Sequence, residues 1–329
     1  MLLAVAGDVM LGRRVSEAMA RKGPGYPWRA MATQLASADL RLINLECALT
    51  ASDERWLDAA GEPKQFYFRA DPSAVAGLAE AGIDFASLAN NHAGDFGEVG
   101  LLDTVAYLDA GGIKHAGAGA NSSAAAEPAL LEGPGGLRVA VLAFADFPPE
   151  WAAGPDSPGL NYLDPLAPGA TGYLAEAIGR ARPLADAVVV SFHWGHNWVS
   201  RPSAEFRSFA HSAIDAGAML FWGHSAHLVQ GVELWRGKAI LYDTGNFIDD
   251  YRRHGRERND LSALFLVDPP DSRVTVIPIR IQDCQARPAK GRDLRRFLKR
   301  FSGLCEELGT TVAVADGKAT IAGGSSGSL

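Results

Sequence analysis

Cysteine is scarce in this chain of 329 residues, and its placement excludes two kinds of site. The three cysteines, Cys47, Cys284 and Cys305, are odd in number and lack the close spacing of metal-binding thiolates. Neither a disulfide framework nor a thiolate metal centre is therefore expected. The pattern favours a reducing compartment.

Long apolar runs are missing as well. No stretch approaches the roughly 18 to 20 apolar residues that a membrane-spanning helix needs. The apolar run at residues 2–6 is too short for a signal peptide, and no basic segment precedes it. We therefore predict a soluble, cytoplasmic protein without a membrane anchor.

An excess of positive charge is also absent, since the net charge is −7 and the pI is about 5.6. Such a chain has no global electrostatic reason to bind nucleic acid or an anionic membrane. We expect a small-molecule or peptide substrate as its partner, and the sequence leaves the oligomeric state open.

What is present is the composition of an ordinary globular protein, with 47% hydrophobic and 21% charged residues. Apolar runs alternate with loops and helical patterns, which predicts an α/β fold. Predicted strands cover residues 2–6, 39–45, 84–88, 137–144, 187–192 and 218–222, and predicted helices cover residues 73–81, 99–110 and 202–216. After Gly223 the pattern changes to strands joined by tight turns, at residues 228–235, 238–242, 261–267 and 273–281. Antiparallel pairing there predicts a mixed architecture of two sheets.

The C-terminal part follows a different pattern. Residues 292–308 form a predicted amphipathic helix whose polar face carries five basic side chains. A solvated face is the simpler interpretation of these charges, and contact with an anionic ligand is the alternative. The Gly/Ser-rich residues 323–328 are expected to be a flexible tail. We predict one domain over residues 1–283, with residues 284–329 packed on it or following it.

Five predicted strands end on side chains that can bind a metal or transfer protons. These segments are Gly7-Asp8, residues 44–46 (NLE), 90–92 (NNH), 193–196 (HWGH) and 223–227 (GHSAH). In α/β sheets, ligands bind outside the carboxyl ends of the strands, so distant segments can converge on one site. Carboxylate, amide and imidazole groups suit Mn, Zn, Fe, Mg or Ca ions.

Each segment alone has a structural explanation. Asp8 could cap a helix, Asn90-Asn91 could form a left-handed turn, and His193 could be a buried core histidine. Glu46 could be a surface residue. Two histidines three residues apart after a strand have little packing purpose, however, and five such segments together favour a shared site.

As a set, the segments resemble the successive motifs of the CapA (poly-γ-glutamate capsule synthesis) family, which is itself similar to calcineurin-like metallophosphoesterases. The matching stretches are GDVMLGR at residues 7–13, NLE at 44–46, SLANNH at 87–92, HWG at 193–195, GHSAH at 223–227 and YDTGNF at 242–247. The resemblance spans about residues 2–250. It implies a four-layer αββα sandwich of two mixed sheets, with a centre of one or two metal ions between them.

The resemblance also implies roles for single residues. The implied metal ligands are Asp8, Glu46 in place of a bridging aspartate, Asn91, His193, His224 and His227. His92 would donate a proton or contact phosphate, and Asp8 is a further candidate for proton transfer. Arg13 is a candidate catalytic and substrate-binding residue, and Asn246 is a candidate substrate contact. We expect His115, His211 and His254 to lie outside the site.

One departure from the pattern bears on the number of metals. Met10 stands where metallophosphoesterases usually carry a histidine. We therefore predict one tightly bound divalent ion and at most a weak second one.

Three functions remain open at this stage. The leading one is a metal-dependent hydrolase or transferase that uses an activated water, or a polarised substrate oxygen, on a phosphoester or amide-type substrate. The second is a cofactor-independent peptide epimerase in which Asp8 and a histidine exchange the Cα proton. The third is a non-catalytic component of a biosynthetic complex with a structural metal.

Overall fold

The computed structural model describes residues 1–255, 257–269 and 271–323. Its strands are β1 (Leu3–Val9), β2 (Leu40–Leu45), β3 (Ala48–Leu49), β4 (Arg69–Ala70), β5 (Phe85–Ser87), β6 (Lys114–Ala116), β7 (Ala118–Gly119), β8 (Ala129–Glu132), β9 (Arg138–Ala145), β10 (Gly159–Leu160), β11 (Ala187–His193), β12 (Leu220–His224), β13 (Val232–Trp235), β14 (Lys238–Leu241), β15 (Asn246–Ile248), β16 (Leu261–Asp268), β17 (Arg273–Gln282), β18 (Gln285–Pro288), β19 (Ala313–Ala315) and β20 (Lys318–Ile321). Its α-helices are α1 (Arg13–Lys22), α2 (Ala32–Ala36), α3 (Ala74–Glu80), α4 (Gly97–Ala110), α5 (Ser122–Ala126), α6 (Ala170–Ala181), α7 (Ala204–Asp215) and α8 (Gly291–Glu306).

One mixed sheet has the strand order β13-β14-β12-β11-β9-β8, with parallel strands at its centre. Side chains alternate between its two faces, as in any strand. On β11, Val188, Val190 and Phe192 point outward into a core shared with α6 and α7. Ser191 and His193 therefore point to the opposite, inner face. The alternation aims a histidine at the facing sheet from the last position of the strand.

The second mixed sheet has the order β19-β20-β17-β16-β1-β2-β5-β6, with β15 beside β1 and β18 beside β17. Strands β1, β2, β5 and β6 are parallel. The later strands pair antiparallel, as β16 does with β1 and with β17. This pairing confirms the antiparallel region predicted after Gly223.

The inner faces of the two sheets pack on each other. Phe85 on β5 contacts Trp222 on β12, with ring centroids 6.5 Å apart. Helices α6 and α7 cover the outer face of the smaller sheet, and apolar side chains of α1, α3 and α4 join the core of the larger one. The structure thus confirms the predicted four-layer sandwich of two mixed sheets.

Strand β1 contains an irregularity that decides where the site lies. Val5 pairs with Leu42 and Asp8 pairs with Asn44, so β1 has one residue more than β2 between these pairs. A bulge of this kind shifts the alternation by one residue. As a result, both Val5 and Asp8 face the six-stranded sheet, although a regular strand would turn them to opposite faces.

The sequence missed some elements. Helices α1 and α6 and the short strands β18, β19 and β20 were not predicted, and the strand predicted at residues 228–235 begins only at Val232. Helix α8 packs on strands of both sheets, and Val232 N donates to Cys305 Sγ at 3.3 Å. The division of the chain after residue 283 stays a prediction, and most of the predicted Gly/Ser tail lies outside the described residues.

Within the described residues, no helix combines the length and the apolar character that crossing a bilayer requires. The predicted cytoplasmic location and the predicted absence of nucleic-acid partners stay predictions.

Candidate metal centre

Asp8 lies at the centre of the candidate site. It is 1% exposed, near the carboxyl end of β1. Its Oδ1 accepts a hydrogen bond from Asn44 Nδ2 at 2.8 Å, and its Oδ2 lies 3.2 Å from His227 Nδ1. Asn44 occupies the paired position on the adjacent parallel strand, which fixes the orientation of the carboxylate.

His193 and His224 approach Asp8 from the other sheet. They end the parallel strands β11 and β12 in paired positions. Their Nδ1 atoms lie 2.9 Å apart. The distance from Nδ1 to Asp8 Oδ1 is 4.0 Å for His193 and 3.8 Å for His224. These three residues form one group able to hold a metal ion.

A second group shares Asp8 and adds Glu46 and His227. Glu46 is fully buried, and Tyr251 OH donates to its Oε2 at 3.3 Å. Its Oε1 has no hydrogen-bond partner, although it lies 4.0 Å from His193 Nε2. A buried carboxylate oxygen without a partner is costly, so this atom is suited to a cation. Asp8, rather than Glu46, belongs to both groups.

Asn91 and His92 follow β5 and take different partners. Asn91 Oδ1 lies 3.1 Å from His193 Nε2, beside the first group. His92 Nδ1 lies 2.6 Å from Asp95 Oδ2, and its ring stacks on Phe68 with centroids 3.9 Å apart. When Nδ1 donates to Asp95, the Nε2 atom of His92 is left for proton exchange.

The first group combines a carboxylate with neutral imidazoles. Burial lowers the pKa of His224 to about 4, against the opposing effect of Asp8. Burial also lowers the pKa of His193 well below its usual range. Burial alone would raise the pKa of Asp8, but its hydrogen bond to His227 and the nearby imidazoles lower it to about 2. At pH 7 an ionised carboxylate thus faces two imidazoles whose lone pairs can bind a cation.

The second group is shaped by like charges. Burial raises the pKa of Glu46 well above its usual range, and the Asp8 carboxylate raises it further. Burial alone would lower the pKa of His227, but Glu46 and Asp8 raise it to about 10. A proton on His227 thus balances the carboxyl groups, and a divalent cation could take over that role.

Arg13 and Asn246, the candidate substrate contacts, lie at different depths. Arg13 pairs with Asp250, and its guanidinium lies over the rings of Phe68 and Tyr251 at the rim. Asn246 is fully buried, and its Oδ1 lies 2.8 Å from His227 Nδ1. Its position is therefore that of a residue that orients His227.

The loop after β12 is held in a strained conformation. Ser225 and His227 have φ angles of 118° and 58°, in the region that favours glycine. Asp243 Oδ2 accepts a hydrogen bond from Ala226 N and its Oδ1 accepts one from Gly245 N, both at 2.7 Å. Strain of this kind persists only where the surroundings enforce it, and it is frequent at functional sites.

Two glycines let the backbone around Asp243 lie close to the strands that carry Asp8 and His224. A Cβ on Gly7 would lie 1.7 Å from Gly245 O, and one on Gly223 would lie 2.1 Å from Tyr242 O. Glycine is thus required beside both Asp8 and His224 for close backbone contact.

Sequence reasoning missed several supporting residues. Ser191 Oγ lies 2.9 Å from His224 Nε2, and Asp95 accepts from Phe68 N and pairs with Lys64 besides holding His92. Asp243 stood in a motif without a predicted role. Ser191 offered one signal, because it lies two residues before His193 and so shares its face of the strand.

A cleft of about 670 Å³ adjoins the first group, and Asn91 and His193 form part of its wall. Asp146 directly follows β9 and accepts a hydrogen bond from Gly195 N at 2.7 Å. Burial, together with the nearby Asp164 carboxylate, raises the pKa of Asp146 to about 7. The cleft therefore disfavours additional negative charge.

His115, His211 and His254 have other partners. His115 contacts Asp109, and His211 contacts Glu233 and stacks on Trp235. His254 stacks on Trp198, whose ring in turn contacts His227.

Residues 2–251 match the family described as the bacterial capsule synthesis protein PGA_cap. A probable polyglutamine synthesis accessory protein of Mycobacterium tuberculosis is 33% identical, over 91% of this chain and 90% of that protein. The capsule biosynthesis protein CapA of Bacillus anthracis is 29% identical, over 90% of this chain and 72% of that protein. A solved Staphylococcus aureus structure aligns over 91% of this chain and 57% of that chain, at 14% identity and with a TM-score of 0.45. The chain belongs to the bacterial capsule synthesis protein family, which confirms the resemblance found in its motifs.

Proposed function

We propose that this member of the bacterial capsule synthesis protein family is a metal-dependent hydrolase or transferase acting on a phosphoester or amide-type substrate. The observation that carries the proposal is the buried, partnerless Glu46 Oε1 beside two ligand groups that share Asp8. Neither a packing role nor a hydrogen-bonding role explains this arrangement, because a buried carboxyl oxygen without a hydrogen-bond partner destabilises a fold.

The donor set fits a divalent cation. Asp8, His193 and His224 would hold it, with Asn91 Oδ1 adjacent. Carboxylate, amide and imidazole donors together suit Mn, Zn or Fe, and also Mg or Ca where oxygen donors dominate. Such an ion would supply a Lewis acid that acidifies water or polarises a substrate oxygen.

The two groups differ in what they offer. Methionine stands at position 10, where a further histidine ligand would be expected. The Met10 sulfur accepts a hydrogen bond from Gly12 N at 3.1 Å. We therefore expect one tight ion in the first group and a weaker second ion bound by Asp8, Glu46 and His227.

The chain's own residues supply proton transfer and positioning. With its Nδ1–H donated to Asp95, His92 presents Nε2 towards the substrate, where it takes up a proton before giving one to the leaving group. Burial lowers the pKa of His92, against the opposing effect of Asp95, which favours the neutral ring whose Nε2 accepts that proton. Arg13 at the rim would hold an anionic substrate group, although Asp250 partly satisfies its charge.

Metal content is the first test. Elemental analysis after incubation with Mn or Zn and removal of excess should give one ion per chain. His224→Ala should abolish this binding, whereas His211→Ala, a histidine that pairs with Glu233 away from the centre, should retain it. A wild-type protein that holds no stoichiometric metal would overturn the proposal.

Substrate screens on the loaded protein address the reaction. Release of phosphate from esters, or of an amine from amides, would support hydrolysis. Uptake of deuterium at Cα of an uncleaved peptide would move the assignment to epimerisation. A fully loaded protein that turns over nothing would favour an accessory role in a biosynthetic complex.

A further inference from the structure

The cleft beside the candidate centre has a lining with an unusual charge balance. Its two ionisable acids are Asp146 and Asp164, and none of the described residues that line it is lysine or arginine. Arg13 lies beside Tyr251, outside this lining, and Lys64, which donates to Asn91 O, pairs with Asp95. A phosphate group in this cleft would therefore meet two carboxyl groups, and no lysine or arginine among the described lining residues would balance its charge.

The fold places this acidic wall next to the centre. His193 pairs with Ala145 across the parallel strands β11 and β9, so Asp146 is the next residue along the neighbouring strand end. Asp146 N donates to His193 O at 3.1 Å. A ligand group bound at Asp146 thus lies one strand away from the imidazoles of the first group.

Beside the polar side chains of His196, Asn197 and Ser225, the cleft is lined by apolar and aromatic groups. Phe147 is 55% exposed and Leu166 is 59% exposed, and both line the cleft together with Phe206 and Tyr162. Large apolar side chains open to solvent beside a few polar groups are typical of ligand sites. Aromatic faces also attract an organic cation.

We propose that this cleft binds the part of the substrate that carries an ammonium group on an apolar or aromatic moiety, as in a peptide or an amine-bearing amide. The inference rests on the proposed function, since it selects amide-type over phosphate-rich substrates for the same centre. Asp146 and Asp164 receive the ammonium group, and Phe147 and Leu166 cover the apolar part.

Three probes of similar size and shape test the charge preference: 2-phenylethylamine, 3-phenylpropan-1-ol and 3-phenylpropionate. Their dissociation constants are measured by NMR titration of the metal-loaded protein and again after removal of metal by a chelator. In the metal-free protein we expect the amine to bind at least about 10-fold more tightly than the carboxylate, because attraction is exchanged for repulsion at the carboxyl groups of Asp146 and Asp164. The alcohol should fall between them. In the loaded protein the bound cation would also attract the carboxylate, so the preference should be smaller.

Asp164→Asn tests the residue directly. An asparagine side chain retains an oxygen that can accept the hydrogen bond from Leu166 N, which Asp164 Oδ1 accepts at 2.8 Å. The variant should bind the amine about 2- to 5-fold more weakly and leave alcohol binding unchanged, as expected for one partly exposed charge. Asp316→Asn is the matched control, because it removes the same charge from an exposed turn between β19 and β20.

The outcomes separate this inference from the proposed function. The cleft assignment is overturned if the amine does not bind, if amine and carboxylate bind equally, or if both Asn variants lose the same amount of amine affinity. In each of these cases stoichiometric metal uptake leaves the proposed function standing. Selective amine binding that depends on Asp164 in a protein that takes up no metal supports the cleft and overturns the metal centre.

Discussion

The hydroxyl of Ser191 is expected to control metal affinity without touching the ion. Ser191 Oγ lies 2.9 Å from His224 Nε2 on the buried inner face of β11. For His224 Nδ1 to offer a lone pair to a cation, Nε2 must carry the proton and donate it to Ser191. Removing the hydroxyl by Ser191→Ala leaves that N–H without an acceptor and frees the ring to turn.

The size of the effect follows from the burial of both groups. A buried donor left without a partner costs about 1–3 kcal/mol. This cost destabilises the orientation and tautomer of His224 that metal binding requires. The metal affinity should therefore drop about 10- to 100-fold, the usual range for lost supporting hydrogen bonds at metal sites. The fold should be retained, because Ser→Ala adds no atoms and leaves β11 paired on both sides.

Competition with a chromophoric chelator measures this directly on metal-free protein titrated with Zn or Mn. Ser87→Ala is the matched control. Ser87 is fully buried on the facing sheet, where it pairs with Asn44, and its Oγ has no hydrogen-bond partner. The same substitution there should leave metal affinity unchanged. Wild-type affinity in Ser191→Ala, or an equal loss in Ser87→Ala, would refute the reasoning.

Three further predictions concern packing, proton transfer and pH. Gly223→Ala should lower the free energy of unfolding by about 1–3 kcal/mol, because its Cβ would lie 2.1 Å from a carbonyl oxygen. Gly179→Ala, whose Cβ would meet no atom, should not destabilise the protein. Denaturant unfolding of both variants measures the difference. Asn91→Ala should weaken metal binding, whereas His92→Ala should keep the metal and lose about 10²- to 10⁴-fold in turnover; loss of metal from His92→Ala would reverse these roles. Because the pKa of His227 is raised to about 10, filling of the second group should displace its proton at pH 7, so that affinity rises with pH. Calorimetry in buffers of different ionisation enthalpy should then detect released protons, and binding heats independent of the buffer would contradict this.

The residues of the candidate centre could be predicted from the sequence because they follow strands. An apolar run that ends in Asp, Asn or His marks a carboxyl end, and parallel strands bring such ends to one edge. This reasoning located Asp8, Glu46, Asn91, His193 and His224 without knowledge of strand order. It needed only the period of the pattern, which is the most robust signal in a sequence.

The supporting residues could not be predicted in the same way. Asp95 acquires its role from contacts with His92, Lys64 and Phe68, which the loop brings together only in the folded chain. Residues with several possible partners give no periodic signal. Helix α6 escaped prediction for a related reason, since it begins after Gly169 in a left-handed conformation without a side-chain cap.

The bulge in β1 shows where pattern reasoning reaches its limit. Strict alternation from Val5 would turn Asp8, which belongs to both ligand groups found among the described residues, away from the six-stranded sheet. The extra residue is visible only once β1 is paired with β2 and β15, where the register also shifts next to Asp8. Register is a property of two strands, so no single stretch of sequence encodes it.

The division of donors between the sheets explains why the centre lies between them. The oxygen donors Asp8, Glu46 and Asn91 follow strands of the ten-stranded sheet, whereas the imidazoles His193, His224 and His227 come from β11, β12 and the loop after β12. Carboxylate and amide oxygens thus come from one sheet and imidazole nitrogens from the other. A cation bound by both sides would join the two sheets at their inner faces, so that its binding free energy adds to the stability of the sandwich itself. The same arrangement buries Glu46 Oε1 without a hydrogen-bond partner, and a raised pKa of His227 keeps a proton there that balances the carboxyl groups of Glu46 and Asp8.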